Sequence, residues 1–424
     1  MKTKAVRLYG KADLRLEEFE LPRMRDDEIL ARVVTDSLCM SSYKAVHQGE
    51  DHKRVPRGIA GNPVIIGHEF SGEILDVGGK WRHKFSKGDK FSIQPAMCYP
   101  GGPAGLMSAP GYSYPYAGGD ATYVIIPNEV MEMDCLLTYN GPGFFPASLA
   151  EPLSCVIGAM HACYHTAPGT HKHCMEIKDG GKMALLAGVG PMGLACINYV
   201  LHRPDRKPSL FVVTDINQER LDRAAQLYSV ELAASRGIEL HYVNTSLMED
   251  SAAGLKELSG GTGYDEVVVM ASVPSVVEQA DGILGQDGCL NFFAGPSESP
   301  FQVPFNFYNV HYASTHVTGT SGGNTEDMKE ALDIMGRGLD PAGMVTHVGG
   351  LNAVIDTTMN LPSIPGGKKL IYTHVEMPLT AIADFGKVGK PVYDALAVIC
   401  KAHNGLWSVE AEEYLLSHAG ELIS

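Results

Sequence analysis

The spacing of apolar and polar positions changes along the chain. At the start, short segments rich in Val, Leu and Ile are separated by turn residues, as in "LRLEEFEL" and "EILARVVTDSLC". Such segments are typical of β-strands. Residues 98–120 are dense in Gly, Pro, Ser and Tyr, which predicts a long loop of the kind that is more often functional or interface-forming than structural.

Near residue 180 the pattern changes to buried strands that alternate with helices. The segment "GKMALLAGVGPMGLACINYVL" contains an apolar strand, a glycine turn and a helix, and further strand-like and helical segments follow it. This alternation predicts a doubly wound parallel sheet. After about residue 335 the pattern becomes irregular again. We therefore predict an α/β protein in which a doubly wound domain over residues 156–335 is inserted into a β-rich domain formed by residues 1–155 and 336–424.

Composition and charge narrow the class of protein. The 424 residues are 45% hydrophobic and 20% charged, and the formal net charge is −15. That charge argues against a nucleic-acid or anionic-membrane binder, because neutralising phosphates requires clustered Lys and Arg. The N-terminus lacks the apolar core of a signal peptide, no apolar run reaches the length of a membrane span, and the nine scattered cysteines contain no C-x-x-C. We expect a cytoplasmic protein without a disulfide framework.

A glycine pattern follows the first apolar strand of the doubly wound region. Gly188, Gly190 and Gly193, with Pro191 and Met192 between them, match G-x-G-x-x-G in the strand–turn–helix context that dinucleotide binding requires. The first glycine allows a tight turn, the second lets the backbone approach a pyrophosphate, and the third lets helix and strand pack closely. The N-terminus of the helix adds free N–H donors for the phosphates.

Asp215 ends the next predicted strand, 22 residues after Gly193. A carboxylate there can bind both ribose hydroxyls and would repel the 2′-phosphate of NADP, so we expect NAD(H). Arg220, five residues further on, is the residue that would reverse this preference. The alternative is a glycine turn with an incidental acidic strand end, which the agreement of motif, context and spacing disfavours.

The stretch "PVIIGHEFSGEI" places His68 and Glu69 together among apolar residues. A buried charge is costly without a partner, so Glu69 needs either a structural partner or a cation. Cys39 and Glu151 add a thiol and a second carboxylate. Thiolate, imidazole and carboxylate are the ligand types of zinc, and three protein ligands with an open position form a catalytic site. Taken singly, each residue is also compatible with an ordinary structural role.

In their order along the chain, these elements resemble the zinc-dependent medium-chain dehydrogenase/reductase family, which includes the alcohol and polyol dehydrogenases. The matching elements are Cys39, Gly67-His68-Glu69, Glu151-Pro152 and the glycine motif at 188–193. The resemblance covers roughly residues 1–375. It implies a GroES-like catalytic domain flanking a Rossmann domain, and hydride exchange between NAD(H) and a CH–OH carbon next to zinc.

The resemblance also implies roles for individual residues. Cys39 and His68 are the expected zinc ligands. Of the acidic residues Glu69 and Glu151, one is expected to bind the metal directly and the other through water or by exchange. Glu69 would then be tolerated inside because the same cation lies near it. Ser41 matches the hydroxyl that passes the substrate proton onward, although a simple turn residue explains it equally well.

Three features depart from the family pattern. Many relatives carry a structural zinc on four closely spaced cysteines, whereas only Cys98 lies in that region, so we expect one zinc per subunit. Ser42 stands where an Asp usually supports the zinc histidine, which leaves the support of His68 open. The chain also continues past the strand where many relatives end, so its last segment is either a helical cover or an interface element.

The length of the chain, the segment "CMSSYK" and the missing cysteines are most similar to a branch that reduces ketose phosphates. A phosphorylated substrate needs cations, and "KAVHQGEDHKRVPRG" offers Lys44, Lys53, Arg54 and Arg57. We expect one or two of them to contact the phosphate, and Arg is the better bidentate partner. The alternative is an ordinary charged surface loop.

Other functions also fit the pattern. These are a different polyol, amino-alcohol or simple alcohol dehydrogenase, a zinc-free quinone-reductase-like relative, and a non-catalytic relative that keeps NAD binding. The full set of zinc-type residues disfavours the last two. As in the family, a homodimer or homotetramer is expected.

Overall fold

The computed structural model describes residues 1–297 and 299–422. Its strands are β1 (Lys2–Gly10), β2 (Asp13–Glu20), β3 (Ile29–Leu38), β4 (Val64–Ile65), β5 (Phe70–Val77), β6 (Lys90–Ile93), β7 (Tyr123–Ile126), β8 (Leu136–Thr138), β9 (Tyr164–Thr166), β10 (His173–Met175), β11 (Lys182–Leu186), β12 (Leu210–Asp215), β13 (Glu239–Asn244), β14 (Tyr264–Val269), β15 (Leu284–Phe292), β16 (His316–Thr318), β17 (Val345–Gly350), β18 (Lys368–Tyr372) and β19 (Thr380–Ala381). Its helices are α1 (Met40–Gln48), α2 (Asn128–Glu132), α3 (Phe145–Ser148), α4 (Ala150–Ala162), α5 (Pro191–His202), α6 (Gln218–Leu227), α7 (Val230–Ser235), α8 (Ser251–Leu258), α9 (Pro274–Ile283), α10 (Phe307–Tyr312), α11 (Thr325–Gly336), α12 (Val354–Met359), α13 (Pro391–Ala402) and α14 (Val409–Ser417). Among these described helices, none combines the length and the apolar character that crossing a membrane requires.

Contacts within the chain divide it into two compact units. The first contains Met1–Glu151, Asn324–Gly336 and the residues from Asp340 onward, and the second contains Pro152–Gly323 with Arg337–Leu339. The predicted boundary between residues 155 and 156 lies inside α4. Helix α11, which we expected in the inserted domain, groups with the first unit.

The first unit is built on a mostly antiparallel sheet. The strand order is β19-β17-β18-β3-β5-β6-β8, with β7 also paired to β3, and a smaller sheet has the order β2-β1-β4. β18 comes from the C-terminal part of the chain and pairs antiparallel with β3, so that Lys369 lies opposite Leu38. This pairing places the start of β18 beside the end of β3, where Cys39 follows.

The C-terminal helices α13 and α14 pack into a core of the first unit. Trp407, between them, is 1% exposed, and its indole Nε1 donates a hydrogen bond of 2.7 Å to the hydroxyl of Tyr372 on β18. Phe385 contacts the Trp407 ring edge-to-face, with 6.2 Å between centroids. The last segment of the chain is therefore a helical cover that belongs to the first unit's own core.

The second unit contains six parallel strands in the order β13-β12-β11-β14-β15-β16. Helices connect successive strands, and the order reverses beside β11, the strand that precedes the glycine motif. This is the strand order of a Rossmann sheet, in which a dinucleotide binds at the reversal point. The predicted combination of a β-rich domain and a doubly wound parallel sheet is confirmed.

Candidate functional site

Cys39 lies at the junction of β3 and α1. It is the N-cap of α1, with extended backbone angles, and its thiol accepts a weak hydrogen bond of 3.5 Å from the N–H of Ser41. Ser41 is exposed in the first turn of α1, whereas Ser42 is buried. The start of α1 therefore presents the thiol of Cys39 and the hydroxyls of Ser41 and Ser42.

His68 and Glu69 lie in the short connection between β4 and β5. Gly67 has a φ of +89°, and a Cβ added there would lie 2.7 Å from the N–H nitrogen of Asp120. Only glycine fits this turn, because other residues would be both strained and too close to the neighbouring backbone. The turn directs His68 and Glu69 inward, where they are 4% and 1% exposed.

Two hydroxyl groups hold the imidazole of His68. Ser42 Oγ lies 3.1 Å from its Nδ1, and Tyr112 Oη lies 3.2 Å from its Nε2. Ser42 thus contacts the histidine from the position where relatives use an Asp. In this chain, the serine hydroxyl supports His68 in place of that carboxylate. Burial lowers the pKa of His68 to about 4, so its ring is neutral at pH 7 and able to act as a metal ligand.

The ligand atoms of Cys39, His68 and Glu69 all lie within 4.8 Å of one another. In the described part of the chain, this is the group of His, Cys and acidic residues arranged to hold a metal ion. Burial raises the pKa of the Cys39 thiol to about 12, so a bound cation is needed to favour the thiolate. Sulfur, nitrogen and oxygen donors around one point fit zinc.

Glu69 has a partner that the sequence did not point to. Lys368, at the start of β18, pairs with both of its carboxylate oxygens, at 2.6 Å for Oε2, and the Ser37 hydroxyl donates to the same Oε2. Burial alone would lower the pKa of Lys368, but the charge and hydrogen bond of Glu69, together with the charges of Cys39 and Glu151, raise it above its ordinary value. The buried charge of Glu69 is thus balanced by a protein cation.

Glu151 lies in the first turn of α4 and is 8% exposed. Its charge acts on both Cys39 and Lys368, in each case less strongly than the charge of Glu69 does. The structure therefore places all four predicted metal residues in one region of the first unit, with Glu151 outside the tightest group.

Tyr112 is a site residue that the sequence did not reveal. Its ring lies 4.7 Å from that of His68 and stacks on His52 at 5.7 Å. Burial raises its pKa well above the usual value, so the hydroxyl keeps its proton. The only signal was its place in the Gly-, Pro- and Tyr-rich loop, which contains three other tyrosines and does not single it out.

The predicted cations separate into two groups. Burial lowers the pKa of His52 to about 4, and the charges of Arg54, Lys53 and Lys44 act in the same direction, so these three side chains lie near that ring. Arg54 also lies 5.7 Å from the centre of the Tyr112 ring.

Arg57 lies apart from this group. Its side chain is 78% exposed, and its guanidinium is 3.9 Å from the carboxylates of both Glu50 and Asp51. Arg54, by contrast, is partly buried and donates a hydrogen bond of 3.3 Å to the carbonyl of Met107 in the long loop. Of the predicted arginines, Arg54 is the one near His68 and Tyr112.

The glycine motif lies between β11 and α5. A Cβ on Gly193 would lie 2.0 Å from the carbonyl oxygen of Gly188, so helix and strand are packed too closely for a side chain. At Gly190, the N-cap of α5, an added Cβ would meet nothing within 4 Å. Pro191 and Met192 form the first turn of α5. The open space at Gly190, beside free N–H groups, fits a pyrophosphate.

Asp215 lies at the end of β12 and is partly exposed. Its Oδ1 accepts hydrogen bonds from the N–H groups of Ile216 and Asn217, at 2.9 and 3.0 Å. These contacts fix the carboxylate at the strand end, where a ribose is expected. Arg220 is exposed on α6, and its own N–H is bonded to the Asn217 side chain.

Comparison with known proteins agrees with this architecture. Residues 25–134 match the alcohol dehydrogenase GroES-like domain, and residues 211–337 match the zinc-binding dehydrogenase domain. The chain belongs to the zinc-dependent medium-chain dehydrogenase/reductase family and is an oxidoreductase acting on CH–OH groups, as its residues indicated.

Two relatives match this chain over nearly its full length. It is 51% identical over 421 residues to L-sorbose 1-phosphate reductase of Klebsiella pneumoniae, covering 99% of this chain and 98% of the relative. It is 50% identical over 417 residues to mannitol-1-phosphate 5-dehydrogenase of Aliivibrio fischeri, covering 98% and 97%. The crystal structure of 2R,3R-butanediol dehydrogenase from Bacillus subtilis superposes with a TM-score of 0.69 at 21% identity, covering 88% of this chain and 100% of that one.

Proposed function

We propose that the chain reduces L-sorbose 1-phosphate with NADH to D-glucitol 6-phosphate, with one zinc ion per subunit. The observation that carries the proposal is the group of Cys39, His68 and Glu69, whose ligand atoms lie within 4.8 Å of one another. The 51% identity to a reductase of this sugar phosphate supports the choice of substrate.

The residues of the first unit have different roles in the site. Cys39 and His68 hold the metal, together with a carboxylate from Glu69 or Glu151, and Ser42 orients the imidazole. Zinc bound there supplies a positive charge that polarises the carbonyl oxygen of the substrate. The hydroxyl of Ser41, exposed at the same helix terminus, passes the proton between that oxygen and solvent.

The second unit binds the cofactor. The N-terminus of α5 holds the pyrophosphate at Gly190, and Asp215 binds the hydroxyls of the adenosine ribose. Because a carboxylate there repels a 2′-phosphate, NAD(H) is the proposed cofactor.

A cation near the metal group favours a substrate whose phosphate lies next to the reacting carbon. L-Sorbose is a 2-ketose, so its 1-phosphate would be reduced at the carbon beside the phosphate-bearing one. Arg54, which lies against Tyr112, is the best placed of the candidate cations, and the charge of Lys44 also acts on His52. Arg57 is paired with acidic residues and is the weaker candidate.

The identity to mannitol-1-phosphate 5-dehydrogenase supports a second candidate activity. That name describes oxidation at C5 of a hexitol whose phosphate is on C1, so phosphate and reacting carbon are further apart. The two candidates therefore differ in where the site must hold the phosphate.

The test is loss of NADH absorbance with zinc-loaded protein and L-sorbose 1-phosphate, unphosphorylated L-sorbose or fructose 6-phosphate as substrate. Fast turnover of L-sorbose 1-phosphate alone is the expected result. Preference for fructose 6-phosphate would instead assign the mannitol 1-phosphate activity. Turnover of L-sorbose at an equal rate would remove the phosphate subsite, and Arg54→Ala would then leave KM unchanged.

We also propose that the chain forms a homodimer or homotetramer. β16 is an edge strand of the parallel sheet, and Phe307, Tyr308 and Tyr312 on α10 are 74%, 68% and 65% exposed. An open strand edge beside exposed aromatic side chains is a surface that proteins usually cover. Light scattering tests this: a monomeric mass at micromolar concentration would contradict it.

A further inference from the structure

Helix α14, in the C-terminal cover, contacts the turn that precedes α3. Glu412 is 0% exposed, and its carboxylate accepts hydrogen bonds from the N–H of Phe144 at 2.8 and 3.2 Å and from the N–H of Phe145 at 3.0 Å. Gly143 has a φ of +65°, and a Cβ added there would lie 3.0 Å from Glu412 Oε2. The turn therefore fits closely around this carboxylate.

The same turn leads directly to Glu151. α3 covers Phe145–Ser148, only Leu149 separates it from α4, and the N–H of Leu149 donates to the carbonyl of Phe145 at 3.2 Å. Glu151 is in the first turn of α4. With no flexible linker between the two helices, the placement of α3 determines where the carboxylate of Glu151 lies.

The side chain of Phe145 packs in the core, and two serine hydroxyls bind carbonyl groups of this segment. Ser71 Oγ donates to the carbonyl of Phe144 at 2.7 Å, and Ser92 Oγ donates to that of Ala147 at 2.6 Å. The first N–H groups of a helix have no partner within the helix itself, and buried donors without partners are costly. At the N-terminus of α3, Glu412 supplies this partner from a distant part of the sequence.

We propose that Glu412 is a positioning residue of the zinc site, acting through the Phe144–Phe145 turn and α3 to fix Glu151. The C-terminal cover is then part of the scaffold of the active site as well as of the core. This inference rests on the proposed function, in which Glu151 belongs to the metal site.

The experiment measures the dissociation constant of Zn²⁺ by chelator competition, and the unfolding temperature of the metal-free protein, for the full chain and its variants. Glu412→Ala removes the acceptor, whereas Glu412→Gln keeps one carbonyl oxygen. Leu396→Ala is the matched control, because it removes packing in the same cover, on α13, without changing the turn. Glu412→Ala combined with Glu151→Gln completes a double-mutant cycle.

We expect Glu412→Ala to weaken zinc binding about tenfold or more, and Glu412→Gln to weaken it less, as for other groups that support metal ligands. Leu396→Ala should lower the unfolding temperature and leave the zinc dissociation constant unchanged. With Glu151→Gln already present, Glu412→Ala should add no further loss, because its effect runs through Glu151.

Unchanged zinc binding in Glu412→Ala, together with a lower unfolding temperature, would make Glu412 a stability residue only and overturn the proposal. Full additivity with Glu151→Gln would also overturn it. If Glu151→Gln alone leaves zinc binding unchanged, the assignment of Glu151 fails and the proposal with it. Failure of the sugar-phosphate assay, with zinc binding still dependent on both residues, would reject the substrate and retain the positioning role.

Discussion

Lys368 and Glu69 form an ion pair in the interior of the first unit, with side chains 6% and 1% exposed. The lysine starts β18, and the glutamate precedes β5 on the opposite side of β3. Each charge is acceptable inside only because the other is present. The pair also leaves the metal group with less net negative charge than its thiol and carboxylates would give alone.

Removing one partner of this pair should destabilise the metal-free protein strongly. Lys368→Met leaves Glu69 buried without its cation, and the expected loss in the free energy of unfolding is about 3–5 kcal/mol. Denaturant unfolding in the presence of a chelator measures it, so that zinc does not replace the lysine. The double variant Lys368→Met/Glu69→Leu should recover most of the loss, and equal losses in the single and double variants would show that the pair does not act as a unit.

The ion pair also shows the limit of what the sequence alone could predict about the site. The glycine motif was predictable because its turn, helix and strand are adjacent in sequence, and the spacing to Asp215 is set by one strand–helix–strand repeat. Cys39, His68 and Glu69 were predictable as chemistry, because a histidine and a carboxylate in an apolar stretch need an explanation.

The partners of these residues were not predictable. Lys368 reaches Glu69 only because β18 pairs with β3, a long-range contact that no local pattern encodes. Tyr112 lies in a loop whose path depends on its contacts, and Glu412 lies on a core-packed helix whose partners its own sequence does not reveal. The sequence shows which chemical groups these residues carry, but it does not show which residues they contact in the fold.

Tyr112 should affect catalysis more than metal binding. Its hydroxyl lies 3.2 Å from His68 Nε2, the ring nitrogen that faces Glu69 at 4.0 Å, so it is placed to donate to a substrate oxygen. Tyr112→Phe keeps the stacking on His52 and removes only the hydroxyl. We expect kcat/KM to fall between about twofold and tenfold, the worth of one hydrogen bond, at unchanged zinc content. Loss of zinc in this variant would instead make the hydroxyl a support of the metal ligand.

Asp215 should determine the choice of cofactor. Asp215→Ser removes the charge that repels a 2′-phosphate but keeps a hydrogen-bonding group, so the ratio of kcat/KM for NADPH to that for NADH should rise at least about tenfold. Asp222→Ser, which removes an exposed charge on α6, is the matched control and should leave the ratio unchanged. A wild-type protein that already prefers NADPH would contradict the proposal, and Arg220 would then be the residue expected to bind the 2′-phosphate.

Glu412 should give the stability of the protein a defined pH dependence. Burial raises the pKa of this carboxyl from 4.5 to about 7, despite the N–H groups of Phe145 and Phe144 that favour its charged form. Between pH 4.5 and pH 7 the unfolded chain therefore releases this proton while the folded chain keeps it. By linkage, the stability that Glu412 contributes is fully present below pH 4.5 and falls by about 3 kcal/mol as the pH rises to 7.

Denaturant unfolding of the wild type and of Glu412→Gln across pH 4.5–7.5 isolates this contribution. The amide does not titrate, and the other ionisable groups are common to both proteins and cancel in the difference. The wild type should lose stability relative to the variant as the pH rises through this range, with no further change above about pH 8. A difference that stays constant with pH would mean that the carboxylate is charged at the N-terminus of α3 throughout, stabilised by the N–H groups of Phe144 and Phe145, the charge of Lys90 and the Tyr372 hydroxyl.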